Sequence, residues 1–478
     1  MSSMGLLSSL PNELLDAVFD LLSKSDLASI SLVCHAWQNC AFPRLYHTVY
    51  ISLATDLQLM VSRIKSEDET GPLSIVSYLK GLVLDNMFVL DHPGRRKINE
   101  RDLIDLQTVI SRLVGLEILG WDLGFVPQGC RIFELFQSEC PKLAFVRIDL
   151  QSEVKYGSDE YKSLLRLTGI SELSVKIYYR GTASADYARE WAPVLIASPN
   201  LVSFSIRFYA SRSIGFDVSG LVAALGDQFT RPRLHTFGIH GYLDQEWESL
   251  FDQSSQIHTL WAFFKRHPNI QNLALAHSYD VDGYRSHTIN PDHVAQLFPS
   301  LQRFKGPNIL IRPLVFSSLA PQLKALTAGD YRLDDYWASA EGPRNHITTM
   351  PHLRELSIQA YAGDAKILLD VLNTFITAAP GLEKIEIPNL HVDGPDFVRL
   401  VQTLRRAGSL IEIDLNSSLL KYVPFSGMAA LTVGENAAAL ELKNACPRLQ
   451  VFRIEGYEVK KWGSSSRCKR TPIFGPIP

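Results

Sequence analysis

The chain is 478 residues long, too long for one compact core, so it calls for two or more domains or one elongated array. Hydrophobic residues make up 46% and charged residues 20%, enough apolar material for most of the chain to fold. A formal net charge of -3 leaves no basic surplus to neutralise phosphates, which excludes general nucleic-acid binding.

The cysteines, Cys34, Cys40, Cys130, Cys140, Cys446 and Cys468, are sparse and form no CxxC pair. That usage predicts free thiols in a reducing compartment. Cys34, His35 and Cys40 lie close together, but no second pair at zinc spacing follows, so no metal site is expected. No stretch approaches the roughly 18 apolar residues of a membrane span. Glu13, Asp16 and Asp20 interrupt the opening leucines, which argues against a signal peptide. The expected location is cytoplasmic, nuclear or both, with no membrane and no nucleic acid as partner.

The first apolar stretch runs from Leu10 to Trp37 and reads LPNELLDAVFDLLSKSDLASISLVCHAW. Pro11 suits the first turn of a helix, where its missing N–H costs nothing. Leu14, Leu15, Val18, Phe19 and Leu22 follow at helical spacing, and Ala17 and Leu21 widen the stripe. Ser23, Lys24 and Ser25 are expected to end this helix and Asp26 to cap the next. There Leu27, Ile30, Val33, Cys34 and Trp37 share one face. A third short helix is expected through Trp37 to Ala41, stopped by Pro43. Helices this short cannot bury all their leucines among themselves. Part of that surface must face either the rest of the chain or another protein.

The order Leu10-Pro11-x-Glu13-Leu14, Val18-Phe19-x-x-Leu22, Asp26-Leu27 and Leu32-Val33-Cys34-x-x-Trp37 closely resembles the F-box motif over roughly residues 6–50. The resemblance implies a trihelical module that docks on the small Skp-type adaptor of SCF cullin–RING ubiquitin ligases, and through it on a cullin scaffold. By position, Leu10, Pro11, Leu14, Val18, Leu22, Leu27, Val33 and Trp37 are then the adaptor-facing or trihelical-core residues. The sequence does not divide them between those two roles.

After residue 75 one phrase keeps returning: CPKLAFVRI from Cys140, SPNLVSFSI from Ser198, HPNIQNLAL from His267, MPHLRELSI from Met350, APGLEKIEI from Ala379. Each is a helix breaker followed by L-x-x-L-x-L. The first aliphatic falls at 79, 116, 143, 170, 201, 234, 270, 301, 323, 353, 382, 410 and 449, a period of about 30 residues that marks leucine-rich repeats. The fourth and sixth positions share one face of a strand, and only stacked neighbours can bury it. Amphipathic segments between the strands, such as AKILLDVLNTFITA from Ala365, read as helices. The expected fold is α/β: the trihelical F-box, then an irregular leucine-rich-repeat solenoid with a parallel sheet on the concave face and helices on the convex face. The Asn that usually follows such strands is mostly missing, with Asn86, Asn389 and Asn416 near its place but out of register. This irregular style resembles the large sets of fungal F-box proteins. The expected division is an F-box at 1–50, a connecting segment at 51–74, the solenoid at 75–459 and a disordered tail at 460–478.

On each strand the third, fifth and seventh positions should line the concave groove. The seventh position gives Lys176, Arg207 and His240, and Arg303 and Lys305 occupy the third and fifth positions further on. These five are the candidate target-binding residues, a basic stripe suited to an acidic or phosphorylated segment. The last repeats carry Glu355, Glu386, Glu412, Asp414 and Glu455 in the same columns. Polar loops at 152–162, 278–291 and 333–349 are further candidates for the binding side.

Catalytic motifs are wanting. The chain has no GxSxG, GxxxxGK, GxGxxG or HExxH, and Ser62 to Lys65 matches SxxK only as a chance pattern without companion motifs. No catalytic residue and no cofactor is expected. The favoured function is a non-catalytic substrate receptor of a ubiquitin ligase, with an unknown target protein held by the repeats. The alternative is a leucine-rich-repeat interaction scaffold that uses the same adaptor without promoting degradation.

Overall fold

The computed structural model describes residues 12–67, 73–86, 96–128, 131–150, 158–179, 187–210, 218–240, 242–243, 259–275, 277–278, 289–328, 347–358, 365–388, 394–415, 440–454 and 457–460. The chain divides into two compact units, Met1–Ala183 with Glu190–Ser211, and Ser184–Arg189 with Arg212–Pro478. Most of the three polar loops, Leu10, Pro11 and the tail beyond Lys460 lie outside the described residues.

The first unit opens with α1 (Asn12–Asp20), α2 (Lys24–Ile30) and α3 (His35–His47). Ser23, not Asp26, caps α2: its hydroxyl accepts the Asp26 backbone N–H at 3.2 Å. The serine expected to end one helix therefore starts the next, and Asp26 falls in the first turn, where its charge suits the helix dipole. Pro43 does not stop α3, which continues to His47 around buried Ala41 and Phe42. Arg44 holds that last turn onto α1 through Asp16 at 3.1 Å and Asp20 at 2.7 Å.

Six strands follow, β1 (Thr48–Ile51), β2 (Gly81–Asp85), β3 (Ile118–Asp122), β4 (Phe145–Leu150), β5 (Glu172–Tyr179) and β6 (Ser203–Ala210). They pair in chain order and every pair is parallel. Helices such as Ala54–Ser66, Glu100–Gln107 and Ile132–Glu139 connect them. The register sets Leu82, Leu119, Val146, Leu173 and Phe204 side by side, so the fourth position of every repeat lands in one buried row. Strand β1 is a repeat that the L-x-x-L-x-L search misses. Its signature is Tyr46-x-x-Val49-x-Ile51, with an aromatic first residue that still belongs to α3. The stretch expected to be a connecting segment thus carries a full helix, Ala54–Ser66, whose Leu57 and Ile64 are completely buried.

The second unit holds β7 (Thr236–His240), β9 (Asn272–Ala274), β11 (Arg303–Gly306), β12 (Ala325–Ala328), β13 (Glu355–Ile358), β14 (Lys384–Glu386), β15 (Glu412–Asp414) and β16 (Val451–Ile454), parallel in that order. A last strand, β17 (Tyr457–Lys460), turns back antiparallel on β16. The short β8 (Tyr242–Leu243) and β10 (His277–Ser278) pair only with each other. Gly306 stands where the repeat wants an aliphatic; a Cβ there would meet the Phe304 ring at 2.6 Å, so the large ring has taken the space.

Across both units all thirteen first-position aliphatics, Leu79 to Leu449, are no more than 5% exposed. Of the expected outward positions, Glu355 is half-buried and Ser357 is buried. One rung of the asparagine ladder survives: the Asn86 side chain donates to the Ile98 carbonyl at 2.9 Å and accepts the Ile98 N–H at 3.0 Å. Asn389 and Asn416 lie outside the described residues. His267 caps a repeat from inside. It is 2% exposed, and its ring bridges the Phe263 carbonyl at 2.7 Å and the Arg231 N–H at 3.1 Å, which requires the neutral tautomer. Burial lowers its pKa accordingly. Burial likewise pushes the thiols of Cys140 and Cys446 up, to about 12 and about 11. No described helix is long and apolar enough to cross a membrane, and no described His, Cys, Asp and Glu group suits a metal ion.

Candidate functional site

Two surfaces carry side chains that the fold leaves in use. The first is on α1. Leu15, Phe19 and Leu22 recur at helical spacing and turn inward, where Leu15 and Phe19 join Leu27 and Ala41 in a small core. Leu22, Ile30, Trp37, Cys40 and Leu45 pack around it, with Trp37 edge-on to Phe19 at 6.0 Å between ring centres. One step round the helix, Leu14, Val18 and Leu21 have the same spacing and face outward, 54%, 50% and 87% exposed. The turn before α3 adds Leu32 and Val33, at 86% and 60%.

The structure therefore divides the eight sequence candidates. Leu14, Val18 and Val33 are surface residues, Leu27 belongs to the module's own core, and Leu22 and Trp37 are half-buried against that core. Leu10 and Pro11 lie outside the described residues. Leu21 and Leu32, the most exposed of the set, were not among the candidates. Their signal was present, since Leu21 follows Val18 by three residues on the outward face.

The second surface is the open face of the sheet in the first unit. The register continues the seventh positions into a column: Asp85 beside Asp122, then Asp149, Lys176 and Arg207 on successive strands. Lys176 is not a free cation, because its Nζ bonds Asp149 Oδ2 at 2.8 Å. Arg147, at the fifth position of the repeat that begins at Leu143, pairs with Asp122 Oδ2 at 2.9 Å. Arg207 and His240 are half-buried. In the second unit Arg303 forks onto Glu355 at 3.1 and 3.2 Å, and Lys305 is half-buried. The expected basic stripe is thus tied up by carboxylates at Lys176 and Arg303.

The column contains what the sequence reading passed over, three consecutive aspartates before the basic residues. The same seventh-position rule, applied to the repeats that begin at Leu79, Leu116 and Leu143, finds them. Asp122 and Asp149 are 6% and 4% exposed. Burial, and then the neighbouring charges of Asp149 and Asp85, push the Asp122 carboxyl up to about 6 against the opposing pull of Arg147 and Lys176. Oδ1 of both Asp122 and Asp149 is buried and accepts no hydrogen bond among the described residues.

Residues 7–52 match the family model described as F-box-like. No curated protein matches the chain. Among solved structures it is similar to the leucine-rich repeat-containing protein LegL7 from Legionella pneumophila, at 11% identity over 83% of this chain and 98% of that one, with a TM-score of 0.31. It is also similar to a chain in a TLR13–ssRNA13 complex, at 14% identity over 79% of this chain and 42% of that one, with a TM-score of 0.28.

Proposed function

From an F-box-like domain at residues 7–52 and the leucine-rich-repeat array behind it, we propose that this F-box/leucine-rich-repeat protein is the substrate-recognition subunit of an SCF-type cullin–RING ubiquitin ligase. One observation carries the reading: a three-helix module that has filled its own core still presents Leu14, Val18, Leu21, Leu32 and Val33 to solvent. Apolar side chains at this density on a small module are an interface, not a surface. They dock on the Skp-type adaptor, and the adaptor joins the cullin. The repeats hold the target, and the receptor supplies proximity instead of chemistry by raising the effective concentration of target lysines. The cytoplasmic or nuclear location expected from the sequence goes with this role.

Affinity capture of the full chain from cells tests it. The wild type should bring down the adaptor together with the cullin. A Leu14→Asp, Val18→Asp variant should lose both by at least roughly tenfold, since truncating central apolar anchors costs about 2 kcal/mol or more. Undiminished adaptor capture by the variant removes the proposal. Adaptor without cullin assigns the chain to the scaffold alternative.

A further inference from the structure

The residue ahead of the proline in the repeat phrase is a buried packing position. Cys140, Ser198, Met350, Ala379 and Cys446 fill it, each no more than 2% exposed. None of these side chains changes charge between pH 5 and pH 7.5, the two thiols having been pushed far above that range. In the repeat that begins at Ile270 the same position holds His267. Packing does not call for a ring there, since side chains from alanine to methionine serve.

The imidazole instead serves the neighbouring repeat. Its Nε2 accepts the Arg231 N–H at 3.1 Å, and its Nδ1 donates to the Phe263 carbonyl at 2.7 Å. It thereby ties the turn before β7 to the end of the helix Thr259–Arg266. Beside it the Asn269 side-chain amide donates to the Pro232 carbonyl at 3.0 Å. With both ring nitrogens committed, a proton added to Nε2 sets two N–H groups head to head. The surroundings also oppose it. The charged groups facing the ring are Arg231, from the turn, and Arg266, from the preceding helix. Asp227, the carboxylate on Arg266, stands 3.9 Å from it and is 93% exposed, so it offsets little. Burial, and then Arg266 and Arg231, lower the His267 pKa from the ordinary 6.5 against the pull of the Phe263 carbonyl. The rings of Phe263 and Phe229, 4.3 and 5.8 Å away between centres, would favour an imidazolium, but they supply no acceptor to part the two donors.

We propose that His267 is an acid-sensitive latch: on acidification the ring takes its proton by releasing the Arg231 N–H, and the turn before β7 opens while the rest of the second unit stays closed. The opened turn frees a histidine that protonates near 6.5, whereas the closed turn holds one that protonates lower. Closure is therefore fully favoured above pH 6.5 and weakens as pH falls below it. By pH 5 the opening equilibrium rises by up to roughly thirtyfold, the limit set by an ordinary histidine.

Hydrogen exchange on the full chain at pH 7.5 and pH 5, read by mass spectrometry, tests the latch. His267→Gln keeps an acceptor for the Arg231 N–H and does not titrate. Comparing wild type with variant at one pH at a time cancels the intrinsic pH dependence of exchange. At pH 7.5 residues 231–237 should exchange within about threefold of each other in the two proteins. At pH 5 the wild type should exchange faster there, by roughly ten- to thirtyfold. The same ratio at both pH values overturns the inference. A reading on the wild type alone serves if the variant fails to fold. Residues 407–413 form the matching turn and strand beside Cys446, so protection at 231–237 relative to that stretch should fall by the same factor between pH 7.5 and pH 5. Relative protection that does not move with pH overturns the latch as well.

Discussion

Leucines in the F-box helices and leucines in the repeats meet different fates. In the repeats every first-position aliphatic is buried, because each strand has a neighbour on either side to close over it. In α1 the same residue type splits between Leu15, which is 7% exposed, and Leu14, which is 54% exposed. Three short helices enclose too little volume to take both. In the trihelical module the leftover apolar residues gather at helical spacing, as Leu14, Val18 and Leu21 do.

The sharpest way to break this contrast is to truncate one member of each class. Leu356 on β13 is 1% exposed with the buried rows of β12 and β14 beside it, so Leu356→Ala should cost about 2–5 kcal/mol in unfolding free energy. Because repeats contact mainly their neighbours, hydrogen exchange should rise first in β12–β14. Uniform protection along the array in that variant would contradict a solenoid. Leu14→Ala should do the reverse. Thermal stability should move by no more than about 0.5 kcal/mol, the usual range for a surface change, while adaptor capture falls by about 2 kcal/mol. A large loss of stability there would place Leu14 in the core.

A smaller effect separates the two ends of the aspartate column. Asp122 has its folded pKa raised from the ordinary 3.8 to about 6, so the fold holds its proton more tightly than the unfolded chain does. Its charged form therefore weighs against folding above pH 6, and that penalty fades as pH falls towards 4. Asp122→Asn should raise stability at pH 8 by about 1 kcal/mol, after the loss of the Arg147 pair, and the difference between variant and wild type should vanish near pH 4. A flat difference across that range would deny the burial of the charge. The smallest effect belongs to Arg303 and Glu355, both about half exposed. A double-mutant cycle on this pair should return a coupling of about 0–1 kcal/mol, weaker still in high salt.

Period-two alternation made the repeat core readable residue by residue, since Leu82, Leu119 and Val146 need only a strand and a neighbour. The F-box boundary was less readable. Tyr46 is at once the last turn of α3 and the first position of a repeat, and a search for aliphatics cannot see it do both. Ser23 and Asp26 both suit a cap, and only backbone geometry decides between them. The charge pattern on the open face was half-read for a different reason. Position predicts which side chains share a column, but not that Lys176 would spend its charge on Asp149, because ion pairing depends on distances that register alone does not state.

No spacer separates α3 from the sheet: His47 ends the helix and Thr48 begins β1. Phe42 of α3 lies 4.4 Å from Tyr46 and 6.0 Å from Tyr78 of the helix before β2, so the junction is packed as well as short. The trihelical module and the first strands of the array are consequently splinted together. Torque applied to the module reaches the strands without a slack tether to absorb it, and the spacing between the two is written into the covalent chain at that single peptide junction.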